Sequence, residues 1–212
     1  MALKIYEIFY SLQGETSRSG LPTVFVRLTG CPLRCTYCDT EYAFSGGSNM
    51  EIVDIMTKVN ELGAHYVTVT GGEPLAQKQC HDLLKSLCDT GYSVSLETGG
   101  AMDIAKVDRR VSIILDIKTP ASNEEKKNLW SNLLHLKPSD EIKFVLCNRA
   151  DYDWAKTKLN EFKLPEKCPV LFSPSFHDLS GNDLASWILA DKLQVRMQIQ
   201  LHKILWGEKQ GV

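Results

Sequence analysis

The stretch FVRLTGCPLRCTYCDT, residues 25–40, contains three of the chain's seven cysteines at the spacing CxxxCxxC. Cys31, Cys35 and Cys38 follow a β-branched apolar run that predicts a strand. Thiolates bind zinc, copper(I) or iron–sulfur clusters, and a closed zinc site needs four ligands. The nearest histidine, His65, lies beyond a whole predicted helix. Three thiolates without an obvious fourth ligand favour a cubane cluster with one iron open to a non-protein ligand.

Strands and helices alternate along the chain. The β-branched runs predict strands at residues 23–28, 65–70, 92–98, 111–117, 141–146, 169–174 and 193–199. Apolar residues at helical spacing predict helices at 49–63, 75–91, 123–136, 150–162 and 182–190. This order predicts an α/β fold with about six or seven mostly parallel strands. Since a full eight-unit barrel takes about 250 residues, we expect a partial (βα) barrel in a single domain, residues 1–212.

Chemically unusual residues follow the ends of these predicted strands. TGC, TGGEP, ETGG, DIKTP, SPS and QLHK each come directly after a strand or at its last residues. Because the carboxyl ends of parallel strands meet at one rim of the sheet, these segments are expected to lie together. The sequence therefore predicts the functional site at this rim.

Composition excludes several classes of protein. A formal net charge of −2 argues against broad electrostatic binding to nucleic acid. No apolar run approaches the ~20 residues that span a bilayer, and the first residues lack a secretory-signal pattern. We expect a cytoplasmic protein that binds neither nucleic acid nor membrane, and in that compartment the cysteines are free thiols or metal ligands.

CxxxCxxC after a strand, followed by GGEP after the next strand, resembles the radical S-adenosylmethionine (SAM) enzymes. The resemblance implies that Cys31, Cys35 and Cys38 hold a [4Fe–4S] cluster whose open iron is chelated by SAM. An electron from the cluster then cleaves SAM to a 5′-deoxyadenosyl radical that abstracts hydrogen from the substrate. By the same resemblance, SAM is contacted by Tyr37, Cys38, Asp39, Gly71, Gly72, Glu73, Asp116, Ile117, Lys118, Ser173, Pro174, Ser175 and Phe176.

Three longer stretches narrow the resemblance: SLQGE at 11–15, residues 25–40, and QLHKILWG at 200–207. Together they resemble the 7-carboxy-7-deazaguanine synthases of queuosine and 7-deazapurine biosynthesis. Such lyases are homodimers that convert 6-carboxy-5,6,7,8-tetrahydropterin to 7-carboxy-7-deazaguanine plus ammonia. They use SAM as a regenerated cofactor, Mg²⁺, and a one-electron donor such as flavodoxin or ferredoxin.

The resemblance also implies a substrate site without a catalytic protein base. Its predicted substrate contacts are Leu12, Gln13, Gly14, Glu15, Arg27, Thr70, His202, Lys203 and Trp206, and Thr40 is the predicted Mg²⁺ ligand. Arg27 would clamp the substrate carboxylate, since a charge inside an apolar strand needs a partner. Glu15 could instead stabilise a turn, and Thr40 could simply lie in a capped turn.

Two alternatives remain open. A glycyl-radical activase also carries CxxxCxxC and a similar GGEP segment, but it would act on a protein; the segments LQGE and CDT weigh against it. A zinc-binding interaction module is the alternative outside enzymes. It would need a fourth local ligand, which the sequence does not offer.

Overall fold

The computed structural model describes residues 2–212. Its strands are β1 Ala2–Leu12, β2 Pro22–Leu28, β3 Ser48–Glu51, β4 Tyr66–Gly71, β5 Ser93–Thr98, β6 Ser112–Ile117, β7 Glu141–Leu146, β8 Val170–Pro174 and β9 Arg196–Met197. Its α-helices are α1 Ile52–Leu62, α2 Cys80–Asp89, α3 Arg149–Glu161, α4 Gly181–Asp191 and α5 Leu201–Trp206. None of the helices in this described part is long and apolar enough to cross a bilayer.

The strands form one open sheet in the order β3-β1-β2-β4-β5-β6-β7-β8-β9. The run from β2 to β9 is parallel throughout and consists of the predicted strands, which confirms the partial-barrel prediction. The sequence prediction missed β1 and β3, which add an antiparallel edge next to β2. The cysteine segment therefore follows the second strand of the chain, whereas we expected it after the first.

The two faces of the parallel sheet differ in polarity. On one face alternate residues such as Val67, Val69 and Leu96 pack against the helices in the main hydrophobic core. On the other face the intervening residues are polar, as Thr68 and Glu97 illustrate. Parallel strands buried on both faces are usually near-continuous apolar runs. The alternation therefore indicates that the second face, here called the polar face, encloses a site.

The loop between β1 and β2, residues 13–21, crosses the polar face near the amino ends of the strands. It is called the plug loop here. The Gln13 amide donates to Thr68 Oγ1 at 3.2 Å, and the Ser17 amide N–H donates to Glu141 at 2.9 Å. Arg18 donates to the carbonyl and hydroxyl oxygens of Ser93, both at 3.0 Å. These contacts reach β4, β5 and β7, so the plug loop closes the amino-end side of the partial barrel.

Residues 123–136 do not form the predicted helix. The structure has only two short 3₁₀ segments there, Glu125–Lys127 and Trp130–Leu134. The buried Asn132 side chain bonds to the Ile104 N–H and to the carbonyl oxygens of Gly100 and Met102. These bonds to a neighbouring loop replace the helical pattern, as asparagine side chains often do.

Candidate active site

A cavity of about 730 Å³ opens at the carboxyl ends of the parallel strands. Its wall consists of residues from all the predicted rim segments, together with the plug loop and residues 198–206, here called the C-terminal segment. The predicted site residues that line it are Leu12, Gln13, Gly14, Glu15, Arg27, Cys31, Cys35, Tyr37, Cys38, Asp39, Thr40, Thr70, Gly71, Gly72, Asp116, Lys118, Ser173, Pro174, Ser175, Phe176, His202 and Lys203. Glu73, Ile117 and Trp206 do not belong to this wall.

The three cysteines lie half-buried on the segment after β2. Hydrogen bonds to two neighbouring segments hold it in place: the Gly30 N–H donates to Ala43 O at 2.9 Å, and the Thr36 hydroxyl donates to Ala121 O at 2.6 Å. Burial raises the pKa of the Cys35 thiol to about 11 and also raises the pKa of Cys31 and Cys38. Such thiols lose their protons when bound iron supplies compensating positive charge.

The donor set fits an iron–sulfur cluster. Within residues 2–212, no three His, Cys, Asp or Glu side chains are arranged to hold a single metal ion. A cluster gives each thiolate its own iron, so its ligands need not converge on one point. The buried Tyr37 hydroxyl has no hydrogen-bond partner, which leaves a polar atom beside the cysteines for a bound group.

Gly71 and Gly72 bring the end of β4 against the cysteine segment. A Cβ atom on Gly71 would lie 2.3 Å from Leu28 O, and Gly71 also has φ +152°. A Cβ atom on Gly72 would lie 2.3 Å from Gly30 O and 2.8 Å from Cys31 Cβ. Backbone packed this closely excludes any side chain, so the two glycines set the position of the first cysteine.

We expect Gly72→Ala to displace the cysteine segment. Overpacking of this kind costs about 1–3 kcal/mol, which lowers Tm by about 5 °C in a chain of this size. Iron bound after anaerobic reconstitution should fall, as measured by iron analysis beside thermal unfolding. Gly91→Ala is the matched control, because a Cβ there would meet nothing within 4 Å although its φ of +93° carries some strain. Equal iron loss in both variants would show that the close contact at Gly72 is not responsible.

Glu73, a predicted SAM contact, does not line the cavity wall. Its side chain is fully buried and accepts hydrogen bonds from Leu75 N, Thr98 Oγ1 and Gly99 N, the last at 2.7 Å. Burial raises the pKa of Glu73, and these hydrogen bonds counteract the rise. The carboxylate thus joins the loops after β4 and β5.

At the end of β6, neighbouring residues also point to opposite faces of the sheet. The Lys118 ammonium group pairs with Asp116 at 3.0 Å and lies 5.9 Å from the centre of the Tyr37 ring. Burial alone lowers the pKa of Lys118, but the Asp116 carboxylate and Tyr37 outweigh burial and raise it. Ile117 alternates onto the helix face and lies in the hydrophobic core. Its predicted contact with SAM is therefore not available to its side chain.

Arg27 has the partner that its position in an apolar strand requires. Its Nε donates to Glu7 Oε1 at 2.7 Å, across the β1–β2 pair. The guanidinium carbon also lies 5.7 Å from the centre of the Tyr42 ring and 5.8 Å from that of Phe9. With Nε engaged, the two terminal NH₂ groups remain for a ligand in the cavity.

Sequence analysis missed two charged residues of the polar face, Glu97 and Lys143. Glu97 accepts from Gln13 Nε2 at 3.2 Å and from Thr70 Oγ1 at 3.0 Å. Lys143 Nζ lies 2.5 Å from a Glu15 oxygen and 3.5 Å from Asp116. Burial, then the nearby Glu15 charge, raises the pKa of Glu97. The signal was available, since Lys143 interrupts an apolar strand as Arg27 does.

Thr40 and Asp39 lie on the cavity wall directly after the third cysteine. Thr40 Oγ1 is 3.3 Å from Asp39 Oδ1 and 3.9 Å from Cys38 Sγ. Burial tends to raise the pKa of Asp39, but the hydrogen bond from Gln200 and the positive charge of Lys143 outweigh burial and lower it. A hydroxyl beside an ionised carboxylate is an oxygen donor set that suits a hard cation such as Mg²⁺.

The C-terminal segment forms part of the cavity wall and is fastened to the plug loop. The Leu201 N–H donates to Gly14 O at 2.9 Å, and His202 packs so tightly that a Cβ on Gly14 would lie 2.0 Å from its Nδ1. Burial lowers the pKa of His202. Trp206, in contrast, lies 37% exposed on α5 and outside the cavity wall as the described residues define it.

Comparisons with known proteins agree with this geometry. A model of the radical SAM superfamily matches residues 25–121, which include the cysteine segment, the two glycines and the end of β6. The 7-carboxy-7-deazaguanine synthase of Chlorobaculum tepidum is 46% identical over 97% of this chain and 94% of its own. That of Koribacter versatilis is 42% identical over 99% of this chain and all of its own.

The chain belongs to the 7-carboxy-7-deazaguanine synthase family.

Solved structures share the fold. QueE from Escherichia coli superposes with a TM-score of 0.78 at 23% identity, covering 95% of each chain. Streptococcus suis SuiB bound to S-adenosylmethionine has a TM-score of 0.55 at 15% identity and covers 81% of this chain and 48% of its own. These likenesses confirm the radical SAM α/β architecture.

Membership of this radical SAM family implies a [4Fe–4S] cluster and SAM as cofactors. Cys31, Cys35 and Cys38 are half-buried thiols that line the cavity. Gly71 and Gly72 line the cavity beside the cysteines with no side chain to obstruct a second group. The residues present therefore fit both cofactors.

Proposed function

We propose that this chain converts 6-carboxy-5,6,7,8-tetrahydropterin to 7-carboxy-7-deazaguanine and ammonia, with SAM regenerated in each turnover. One observation carries the proposal: a single cavity joins the three cysteines to Arg27 and to the polar side chains around Glu97. In the 7-carboxy-7-deazaguanine synthase family, such a cavity has room for a cluster, for a clamp on the substrate carboxylate and for the substrate ring.

The charges of the cavity orient this substrate. The two free NH₂ groups of Arg27 match a carboxylate in bidentate geometry. On the polar face, Gln13 and Glu97 offer amide and carboxylate groups for the N–H and C=O edge of the pterin. Because C6 carries the carboxylate, a ring held at both ends in this way has its C6 position at the Arg27 end. Leu12, Gly14, Thr70, His202 and Lys203 complete the proposed substrate contacts.

When bound, the cluster and SAM would supply the radical chemistry that removes a hydrogen from the substrate. The chain's own residues bind, orient and exclude water. The plug loop closes the amino-end side of the cavity, and the C-terminal segment is fastened to it through Leu201 N and Gly14 O. We assign SAM contacts to the lining residues of the segments after β2, β4, β6 and β8.

We assign a Mg²⁺ ion to Thr40, with the substrate carboxylate as a second donor. The support is the hydroxyl on the cavity wall and the Asp39 carboxylate 3.3 Å from it. A cation with few protein ligands depends on each of them, because Mg²⁺ otherwise keeps its waters.

We expect Thr40→Ala to raise the Mg²⁺ concentration for half-maximal activity by about tenfold, the equivalent of one hydrogen bond to a charged group. Titration of the reconstituted enzyme with MgCl₂ measures it. Thr57→Ala is the matched control, since its hydroxyl bonds to Val53 O within α1 and the residue does not line the cavity. An unchanged Mg²⁺ requirement in Thr40→Ala would remove this residue from the metal site.

A one-electron donor such as flavodoxin or ferredoxin and a second copy of the chain are further parts of the proposal. The electron donor is supported by the exposure of Pro32, Arg34 and Thr36 on the cysteine segment. An electron therefore has a short path from the protein surface to the cysteines. Support for a homodimer is the exposed apolar surface of α5, with Ile204 at 61% and Leu205 at 49%. Sedimentation velocity of the purified chain tests the dimer.

The experiment that tests the function is an anaerobic turnover assay. The reconstituted protein receives SAM, Mg²⁺, dithionite and the carboxytetrahydropterin, and mass spectrometry follows the deazaguanine product. Product formed without a protein substrate supports the proposal. Cleavage of SAM without deazaguanine would overturn the substrate assignment and favour the activase alternative. A preparation that binds one zinc and no iron would overturn the radical chemistry.

A further inference from the structure

The side chain of Gln200 joins two parts of the cavity that the chain places far apart. Its Nε2 donates to Glu15 Oε1 at 2.9 Å and to Asp39 Oδ2 at 3.1 Å. Glu15 belongs to the plug loop, and Asp39 follows the third cysteine. Gln200 itself directly precedes α5 in the C-terminal segment. One amide therefore connects three segments that come together only in the folded chain.

Glu15 and Asp39 each bond to other residues through the carboxylate oxygen that does not contact Gln200. Glu15 Oε2 contacts Lys143 Nζ at 2.5 Å and Gln198 Nε2 at 3.3 Å. Asp39 Oδ1 accepts the Thr40 hydroxyl at 3.3 Å. Movement of the C-terminal segment would consequently be transmitted through Asp39 to the hydroxyl to which we assign Mg²⁺.

The bridge that the Gln200 amide makes between Glu15 and Asp39 requires a neutral group with two hydrogen-bond donors. A primary amide offers two N–H groups and no charge, so it can donate to two carboxylates at once. A carboxylate at this position would face two like charges, and an alanine would leave both without this partner. The neighbouring Gln198 also bonds to Glu15, and its amide oxygen accepts the Thr16 N–H at 2.8 Å, but it has no bond to Asp39 among the described residues.

We propose that Gln200 is a positioning residue that couples the seating of the C-terminal segment to the placement of Asp39 and Thr40. The proposal rests on the proposed function for its link to Mg²⁺, but its structural part stands on the two hydrogen bonds alone. The cysteine side of the cavity takes its catalytic arrangement when the C-terminal segment is fastened, which is also when the cavity excludes water.

The test compares Gln200→Ala with Gln198→Ala, both as the full-length reconstituted protein. Hydrogen exchange measured by mass spectrometry gives a readout that needs no turnover. In both variants the C-terminal segment, residues 198–206, should exchange faster than in the unaltered protein. Only Gln200→Ala should also speed exchange in residues 38–44, since only that variant breaks the bond to Asp39.

The Mg²⁺ requirement gives the second readout. Half-maximal activity in Gln200→Ala should need about tenfold more Mg²⁺, and in Gln200→Glu still more because like charges repel Asp39. Gln198→Ala should change it by less than about twofold. Unchanged exchange in residues 38–44 in Gln200→Ala, or an equal effect in Gln198→Ala, would overturn the proposal. If the unaltered protein made no deazaguanine, the proposed function would fall while the exchange data still decided the role of Gln200.

Discussion

Cys35→Ala is expected to give a folded protein that holds no [4Fe–4S] cluster and forms no deazaguanine. Loss of one of only three protein ligands leaves two irons without protein attachment once SAM's position is counted, and the cluster dissociates. We expect product formation to fall by more than about 10³-fold, or about 4 kcal/mol in the barrier. Iron and sulfide analysis, visible absorbance and product mass spectrometry measure the loss.

The fold should survive this substitution. The loop bond at this position runs from Cys38 N to the carbonyl oxygen of Cys35, which alanine retains. Cys88→Ala is the matched control: Cys88 is partly buried on α2 and does not line the cavity. It should keep its iron and its activity. A Cys35→Ala protein that retained full iron and sulfide would contradict the assignment of the cluster to this segment.

The parallel strands were predictable because local pattern and tertiary environment agree. β4 and β5 alternate apolar and polar residues, and the apolar half packs against helices. The failed helix at 123–136 shows the opposite case. Its composition suits a helix, but the Asn128 and Asn132 side chains bond to backbone of other loops, and these partners are invisible in the local sequence.

The candidate site divides in the same way. Residues on strand ends, such as Cys31 and Lys118, were predictable because parallel strands bring their carboxyl ends to one rim. Gln200 and Glu7 were not, since each acts through a residue distant in the chain. The Ile117 side chain lies outside the cavity for a simpler reason: neighbouring strand residues point to opposite faces, so a continuous segment cannot line the cavity with every side chain.

Arg27→Lys is expected to raise KM for the carboxytetrahydropterin by about 10–100-fold. The loss corresponds to about 1.5–3 kcal/mol, the usual worth of hydrogen bonds to a charged group. Arg27 Nε donates a hydrogen bond to Glu7 at 2.7 Å, which leaves the two NH₂ groups for the substrate. A lysine keeps the positive charge but is a single point donor, so it cannot serve Glu7 and a bidentate carboxylate together. Steady-state kinetics under anaerobic conditions measure KM and kcat.

The accompanying measurements separate a clamp from a structural role. Iron content and thermal unfolding of Arg27→Lys should match the unaltered protein, because the lysine still neutralises Glu7. Arg110→Lys, on an exposed arginine paired with Asp89 and Asp108, controls for the substitution itself and should leave KM unchanged. Glu7→Gln keeps the guanidinium but weakens its orientation, so we expect a smaller rise in KM, about threefold. A KM in Arg27→Lys no higher than in Arg110→Lys would mean that the substrate carboxylate binds elsewhere, with Lys118, Lys143 and Lys203 among the other cations of the cavity wall.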